Sequence, residues 1–206
     1  MQRSSIRPAW FATVFSPNHP DLGLPVRGRR PGAPLNLLGR MASAILIGLA
    51  APAFAHVTAH PYVAAAGSSF ETAFIVSHGC DGSATVALRI RIPAGITTVK
   101  PQMKPGWVVS IKTRNLNPPH KTGQGRTVSK TVDEVDWRGG PLPDNLYDTF
   151  GLLMKLPDTP GKTLYFPVVQ ECRQGVRRWI EIPAHGQSRS DLREPAPFIK
   201  LAPRSP

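Results

Sequence analysis

His56 is the residue whose type and position suggest the most specific chemistry, because it directly follows the tripeptide Ala53-Phe54-Ala55. An A-x-A tripeptide at the end of a short apolar run is a pattern at which signal peptidase cleaves. A histidine at the new N-terminus offers its free α-amine and its imidazole Nδ1, which together close a six-membered chelate around one ion. Such donors suit Cu(II), which prefers tetragonal nitrogen and oxygen ligation. We therefore predict one Cu(II) site per chain at His56, unless cleavage before a histidine is a coincidence.

The segment before His56 has the features of an export signal. Residues 41–55 read MASAILIGLAAPAFA, and Arg40 stands directly before them. This apolar run is too short to span a bilayer as a helix, which needs about 20 apolar residues. We interpret residues 1–55 as a Sec-type signal peptide with an extended n-region. The mature protein is then expected in the periplasm or otherwise outside the cytoplasm, without a membrane span of its own.

Both cysteines of the chain, Cys80 and Cys172, lie in the predicted mature part. In an oxidising compartment an even pair of cysteines usually forms a disulfide. A metal site built from these two cysteines and His78 is the alternative, but no C-x-x-C spacing supports it. We therefore predict the disulfide Cys80–Cys172.

The charge of the mature part is basic but dispersed. Six of the 25 basic residues and one of the 13 acidic residues precede His56, which leaves 19 and 12 and a net charge of +7. Apart from the pair Arg177-Arg178, the basic residues are scattered, whereas nucleic-acid binding typically needs a clustered basic face. A solvated surface is the expected role of these charges, and no nucleic-acid partner is predicted.

The mature sequence alternates short β-rich runs with Gly/Pro breakers, which is the pattern of an all-β sandwich. The clearest half-buried strand is Ala84–Ile92, where apolar residues alternate with Thr, Ala and Arg. We predict an immunoglobulin-like or cupredoxin-like sandwich over residues 56–185. A C-terminal extension, 186–206, could dock at 197–201, and Asn115–Gly125 is predicted to be a mobile hairpin loop. The eight predicted strands are 56–60, 70–77, 84–92, 107–113, 127–137, 147–156, 163–172 and 176–182.

Several segments together resemble one known family. They are His56-Val57-Thr58, Gly67-Ser68, Cys80 with the strand after it, Lys104-Pro105-Gly106-Trp107, Val135-Asp136-Trp137-Arg138-Gly139-Gly140, Tyr147-Asp148-Thr149-Phe150, and Phe166-Pro167-Val168-Val169-Gln170-Glu171-Cys172 leading to Arg178-Trp179. In these segments the chain resembles the YcnI-like family of exported copper-binding proteins over nearly all of residues 56–201. The resemblance implies a β-sandwich.

The resemblance also implies a ligand set. In the family the first mature histidine supplies amine and imidazole nitrogens, a carboxylate from another strand assists, and a tryptophan lies beside the metal. His56 and Trp179 match these positions, but Thr149 stands where the family usually has Glu before Phe. Asp148, Glu171 or water could replace that carboxylate, although strand alternation turns Asp148 away from the side of Thr149.

Three functions remain open at this point. The leading hypothesis is an exported Cu(II)-binding protein, without catalysis, that exchanges copper with other extracytoplasmic copper-handling proteins. A copper-dependent oxidative enzyme would need a second histidine: His60 is too near in sequence, and His78, His120 or His185 would have to fold over to the site. The third hypothesis is a metal-free structural or interaction module in which His56 is incidental.

Overall fold

The computed structural model describes residues 56–122 and 125–204. The predicted signal peptide lies outside the described residues. The strands, in chain order, are β1 (Thr58–His60), β2 (Val63–Ala65), β3 (Ser69–Val76), β4 (Thr85–Arg91), β5 (Thr98–Pro101), β6 (Trp107–Lys121), β7 (Thr127–Leu142), β8 (Asp148–Lys155), β9 (Thr163–Tyr165), β10 (Val168–Cys172), β11 (Val176–Trp179) and β12 (Phe198–Ala202), with a 3-10 turn at Arg189–Asp191. None of the described residues forms a helix long and apolar enough to span a bilayer.

The strands form three sheets. The first has the order β1-β3-β8-β5, the second β11-β10-β4-β7-β6, and the third β2-β12-β9. Within the first sheet, β3 pairs antiparallel with both β1 and β8. Within the second, β10 lies between β4 and β11. Both β1 and β11 are therefore edge strands of their sheets.

Aromatic side chains fill the space between the first and second sheets. Phe150 of β8 lies with its ring centroid 5.6 Å from that of Trp137 on β7 and 5.0 Å from that of Trp107 on β6. Phe74 on β3 meets Phe166 at 5.4 Å, and both are fully buried. The alternation of β4 buries Leu88 and Ile90 in the same core. The predicted all-β sandwich is confirmed.

The hairpin of β6 and β7 is longer than the sequence predicts. Asn115–Lys121 was predicted to be a loop, and this was wrong because β6 continues to Lys121. β6 is the outer strand of its sheet, so prolines such as Pro118 and Pro119 can lie in it without removing an interior ladder bond. The register is interrupted between Asn115 and His120, where these prolines fall. Residues 123–124, at the tip of the predicted loop, lie outside the described residues.

The segment predicted as one strand over 163–172 is divided in two. β9 pairs with β12 in the third sheet, whereas β10 pairs with β4 and β11 in the second. Phe166 and Pro167 stand between them. Pro167 has no backbone N–H to donate to a neighbouring strand, and the side chain of Phe166 is buried in the core. The chain leaves one sheet and enters the other at this point.

The C-terminal part contributes a strand to the third sheet. β12 lies between β2, to which it is parallel, and β9, to which it is antiparallel. Ile199 and Leu201 of β12 are buried in the core. The short strands β2 and β5 were not predicted from the sequence.

Candidate metal centre

His56 lies where the edges of the two large sheets meet. It stands two residues before β1, and its ring centroid is 5.6 Å from that of Trp179, with the rings nearly perpendicular at 80°. Trp179 is the last residue of β11 and is only 4% exposed. The two residues that the family resemblance assigned to the site are therefore neighbours, although they come from opposite ends of the domain sequence.

His78 is a second imidazole beside the same indole. Its ring centroid lies 6.1 Å from that of Trp179, at an interplanar angle of 84°. The chain reaches this position just after β3, and the ring Nδ1 donates to the carbonyl of Gly79 at 2.6 Å. Because a carbonyl can only accept, that bond places the proton on Nδ1 and the lone pair of the neutral ring on Nε2.

Gln170 connects the indole to the backbone of His78. This fully buried side chain donates from Nε2 to the His78 carbonyl at 2.7 Å and to Thr85 Oγ1 at 2.8 Å. Its Oε1 accepts from Trp179 Nε1 at 3.0 Å. Both ends of the amide are satisfied, so the amide specifies the orientation of the indole as well as the position of His78.

The disulfide Cys80–Cys172 is formed, as predicted, with 5.9 Å between the two Cα atoms. His78 and Gln170 each lie two residues before one of these cysteines. The crosslink therefore joins the two chain segments that carry them. Because both residues precede a bonded cysteine by two positions, the predicted disulfide could have indicated that His78 lies near Gln170.

The electrostatic surroundings favour the neutral form of His56. Burial lowers the pKa of His56, and the positive charge of Arg189 and the proximity of His78 lower it further, against a hydrogen bond to the backbone of Arg193 that raises it. A metal-ligating imidazole must be neutral. The guanidinium of Arg189, which lies 5.3 Å from the ring centroid of Phe198, would by the same positive charge disfavour a cation bound at His56.

Glu171 is not brought to His56. Its carboxylate is held by Arg89 at 2.5 Å and by Arg138 at 3.1 Å. Successive side chains of a strand point to opposite faces. Since Gln170 faces Trp179, Glu171 lies on the other face of β10, and its proposed part in the copper site has no support in this arrangement.

Asp148 also has a cationic partner. Its Oδ1 lies 2.5 Å from Lys104 Nζ and accepts from the backbone N–H of Thr149 at 2.8 Å. It pairs with Val76 across the first sheet, whereas Thr149 pairs with Ile75 and, through it, with Thr58. Asp148 and Thr149 therefore face opposite sides of β8, as the alternation predicted.

The candidate donors beside Trp179 are nitrogen atoms. Within residues 56–122 and 125–204, no cluster of three or more His, Cys, Asp or Glu side chains could hold a metal ion. The centre around Trp179 contains two imidazoles, and cleavage after Ala55 would add the α-amine of His56. His60, His120 and His185 are exposed.

The fold and the crosslink define a disulfide-bonded, all-β immunoglobulin-like domain. The family described as "Domain of unknown function (DUF1775)" matches residues 56–201, and this chain belongs to that family. A solved structure of an uncharacterized protein from Nocardia farcinica, described as an immunoglobulin-like fold, is similar to this chain. The two sequences are 23% identical, and the match covers 71% of this chain and 98% of the Nocardia farcinica chain. The TM-score is 0.54, and a likeness of this degree shows the fold alone. No curated protein matches this chain.

Proposed function

We propose that this protein binds one Cu(II) ion outside the cytoplasm, through the α-amine and the imidazole of His56, and takes part in copper trafficking or homeostasis. The observation that carries the proposal is the position of His56, which follows the cleavage motif and lies against the buried Trp179. The resemblance to the YcnI-like copper-binding proteins assigns the same two residues to the metal. The disulfide is compatible with an oxidising compartment.

The chemistry of the donors supports copper over other divalent ions. Amine and imidazole nitrogens suit Cu(II), which also stands highest in the affinity order of divalent first-row metals. The amine must lose its proton, from a reference pKa of about 7.7 to 8.0, before it binds. Copper affinity should therefore fall as the pH falls through this range, because protons compete for the amine.

The charges around His56 favour moderate Cu(II) affinity, so that the ion can be released. Arg189 lowers the pKa of His56 through its positive charge, and the same charge disfavours a divalent cation nearby. Both carboxylates considered for the site are paired with Lys or Arg side chains. A site to which the described residues bring no anionic side chain suits exchange with other extracytoplasmic copper-handling proteins, and the proposal includes no catalysis.

The proposal is tested by titrating Cu(II) into mature protein that begins at His56, followed by electron paramagnetic resonance. The matched control carries one extra Gly before His56, which keeps every side chain but converts the α-amine into a peptide nitrogen. We expect one-to-one binding with an axial, nitrogen-rich signal that changes or disappears in the control. Identical signals from the two proteins, or binding by neither, would refute the site.

A second assay separates carriage from oxidative catalysis. The copper-loaded protein is incubated with ascorbate or peroxide and a panel of polysaccharides, and oxidised products are measured. We expect peroxide consumption no faster than that of the His56→Ala variant and no oxidised glycan. Turnover that requires His56 would favour the enzyme instead.

A further inference from the structure

We propose that His78 supplies a second imidazole ligand, through its Nε2 atom, to the Cu(II) ion bound at His56. The inference rests on the proposed function, because it needs copper at His56. It adds a ligand that neither the sequence pattern nor the family match assigns. The site would then hold three nitrogen donors, two from His56 and one from His78.

The first support is the shared indole. His56 and His78 both approach Trp179 edge-on, with ring centroids 5.6 Å and 6.1 Å from that of the indole. They reach it from different segments, one before β1 and the other after β3. The two imidazoles therefore belong to one local cluster.

The second support is the tautomer of His78. Metal-ligating histidines usually donate their other ring N–H to a carbonyl or carboxylate, which orients the ring and raises the basicity of the ligating nitrogen. The Nδ1 of His78 makes this kind of bond to the carbonyl of Gly79. The donor geometry thus assigns Nε2 as the nitrogen that can coordinate.

The third support is the rigidity of the backbone that carries His78. The His78 carbonyl accepts from Gln170, and the Gly79 N–H donates to Asp144 Oδ1 at 2.8 Å. A Cβ atom at residue 79 would overlap the carbonyl oxygen of Ser83, so only glycine fits in this turn. Cys80 then enters the disulfide. A ligand on so constrained a segment is preorganised, which a precise metal site requires.

The other histidines of the described domain make a natural control set. His60, His120 and His185 are exposed. His60 is the sharpest control, because it lies on β1, close in sequence to His56, and its replacement removes one imidazole from the same part of the fold. His60→Gln therefore controls for the removal of one imidazole from this part of the fold.

The test counts the imidazoles bound to copper by pulsed electron paramagnetic resonance, which detects the remote nitrogen of each coordinated ring. Mature protein beginning at His56 is compared with His78→Gln and His60→Gln. We expect signals of two imidazoles in the unmodified protein and in His60→Gln, and of one imidazole in His78→Gln. The Kd for Cu(II) should rise at least about tenfold in His78→Gln, which corresponds to about 1.4 kcal/mol.

The outcomes separate the two proposals. One imidazole in the unmodified protein, with a signal that still depends on the free α-amine, would overturn the role of His78 and leave the His56 site intact. No copper signal, or one indifferent to the Gly extension, would overturn both. A count of one imidazole in the unmodified protein does not depend on any variant, so it overturns the role of His78 even if His78→Gln folds poorly.

Discussion

The bond between Gln170 and Trp179 gives the most demanding test of the site's architecture. Gln170→Met keeps a similar volume but removes the amide that contacts Trp179 Nε1, Thr85 Oγ1 and the His78 carbonyl. Trp179 is 4% exposed and Thr85 is fully buried. Their polar atoms would lose a partner where water cannot easily replace it, whereas the carbonyl of the half-buried His78 can turn to solvent.

The magnitude follows from those two buried groups. A buried polar group left without its partner costs about 1 to 3 kcal/mol. Gln170→Met should therefore lower the free energy of unfolding by about 2 to 6 kcal/mol in all. Trp179→Phe leaves Gln170 Oε1 without the indole donor and should cost about 1 to 3 kcal/mol from that bond alone. The double variant loses the same bond only once. The double-mutant cycle of these proteins should therefore show a coupling free energy of about 1 to 2 kcal/mol between Gln170 and Trp179.

Urea denaturation of the four proteins, with the disulfide intact and without metal, measures these free energies. The denaturant slope should be the same for all four, because a changed slope would report altered compactness rather than lost stability. If the losses of unfolding free energy in the two single variants add up to the loss in the double variant within about 0.5 kcal/mol, the two side chains are not coupled. That result would refute the view that Gln170 orients the indole.

Three further predictions follow from the same structure. Because Cys80–Cys172 joins residues 92 apart, replacing both cysteines by Ala should lower the free energy of unfolding in urea by about 4.6 kcal/mol, as the chain-entropy model gives for so long a loop. Chemical reduction of the unmodified protein should have a similar effect, and a loss under about 1 kcal/mol would contradict the assignment. Since the folded state lowers the pKa of His56 from 6.5, the unfolded chain takes up a proton first, so stability of the metal-free protein should decline as the pH falls below that value. His56→Gln should make this decline smaller. Denaturation curves taken from about pH 8 to about pH 5, the range in which histidine changes its charge, measure the difference. Phe150→Ala should cost about 3 to 5 kcal/mol in thermal or urea unfolding, because its ring fills the core between the sheets, whereas Met103→Ala at a position 89% exposed should stay within about 0.5 kcal/mol.

The fold could be predicted from local patterns wherever a strand has one apolar face. The alternation in β4 is clear because every second residue meets the core, and the breakers around it are short. The pattern failed in the long hairpin, where Pro118 and Pro119 look like loop residues yet lie in an outer strand. It also failed at Pro167, where a single β-rich run serves two sheets. Both failures have one cause, since the neighbours of a strand are set by residues far away in the chain.

The sequence by itself determined the all-β class, the pairing of the two cysteines, and the choice of the histidine after the cleavage motif as a candidate metal ligand. These conclusions need only composition, period-two alternation and short motifs, which are local properties of the chain. Only the tertiary structure decided which side chains surround Trp179. It brought His78 and Gln170 to the indole, and it turned Glu171 toward Arg89 on the opposite face of β10. The reason is that strand register and sheet partner choose the face of each residue, and both are set by long-range pairing.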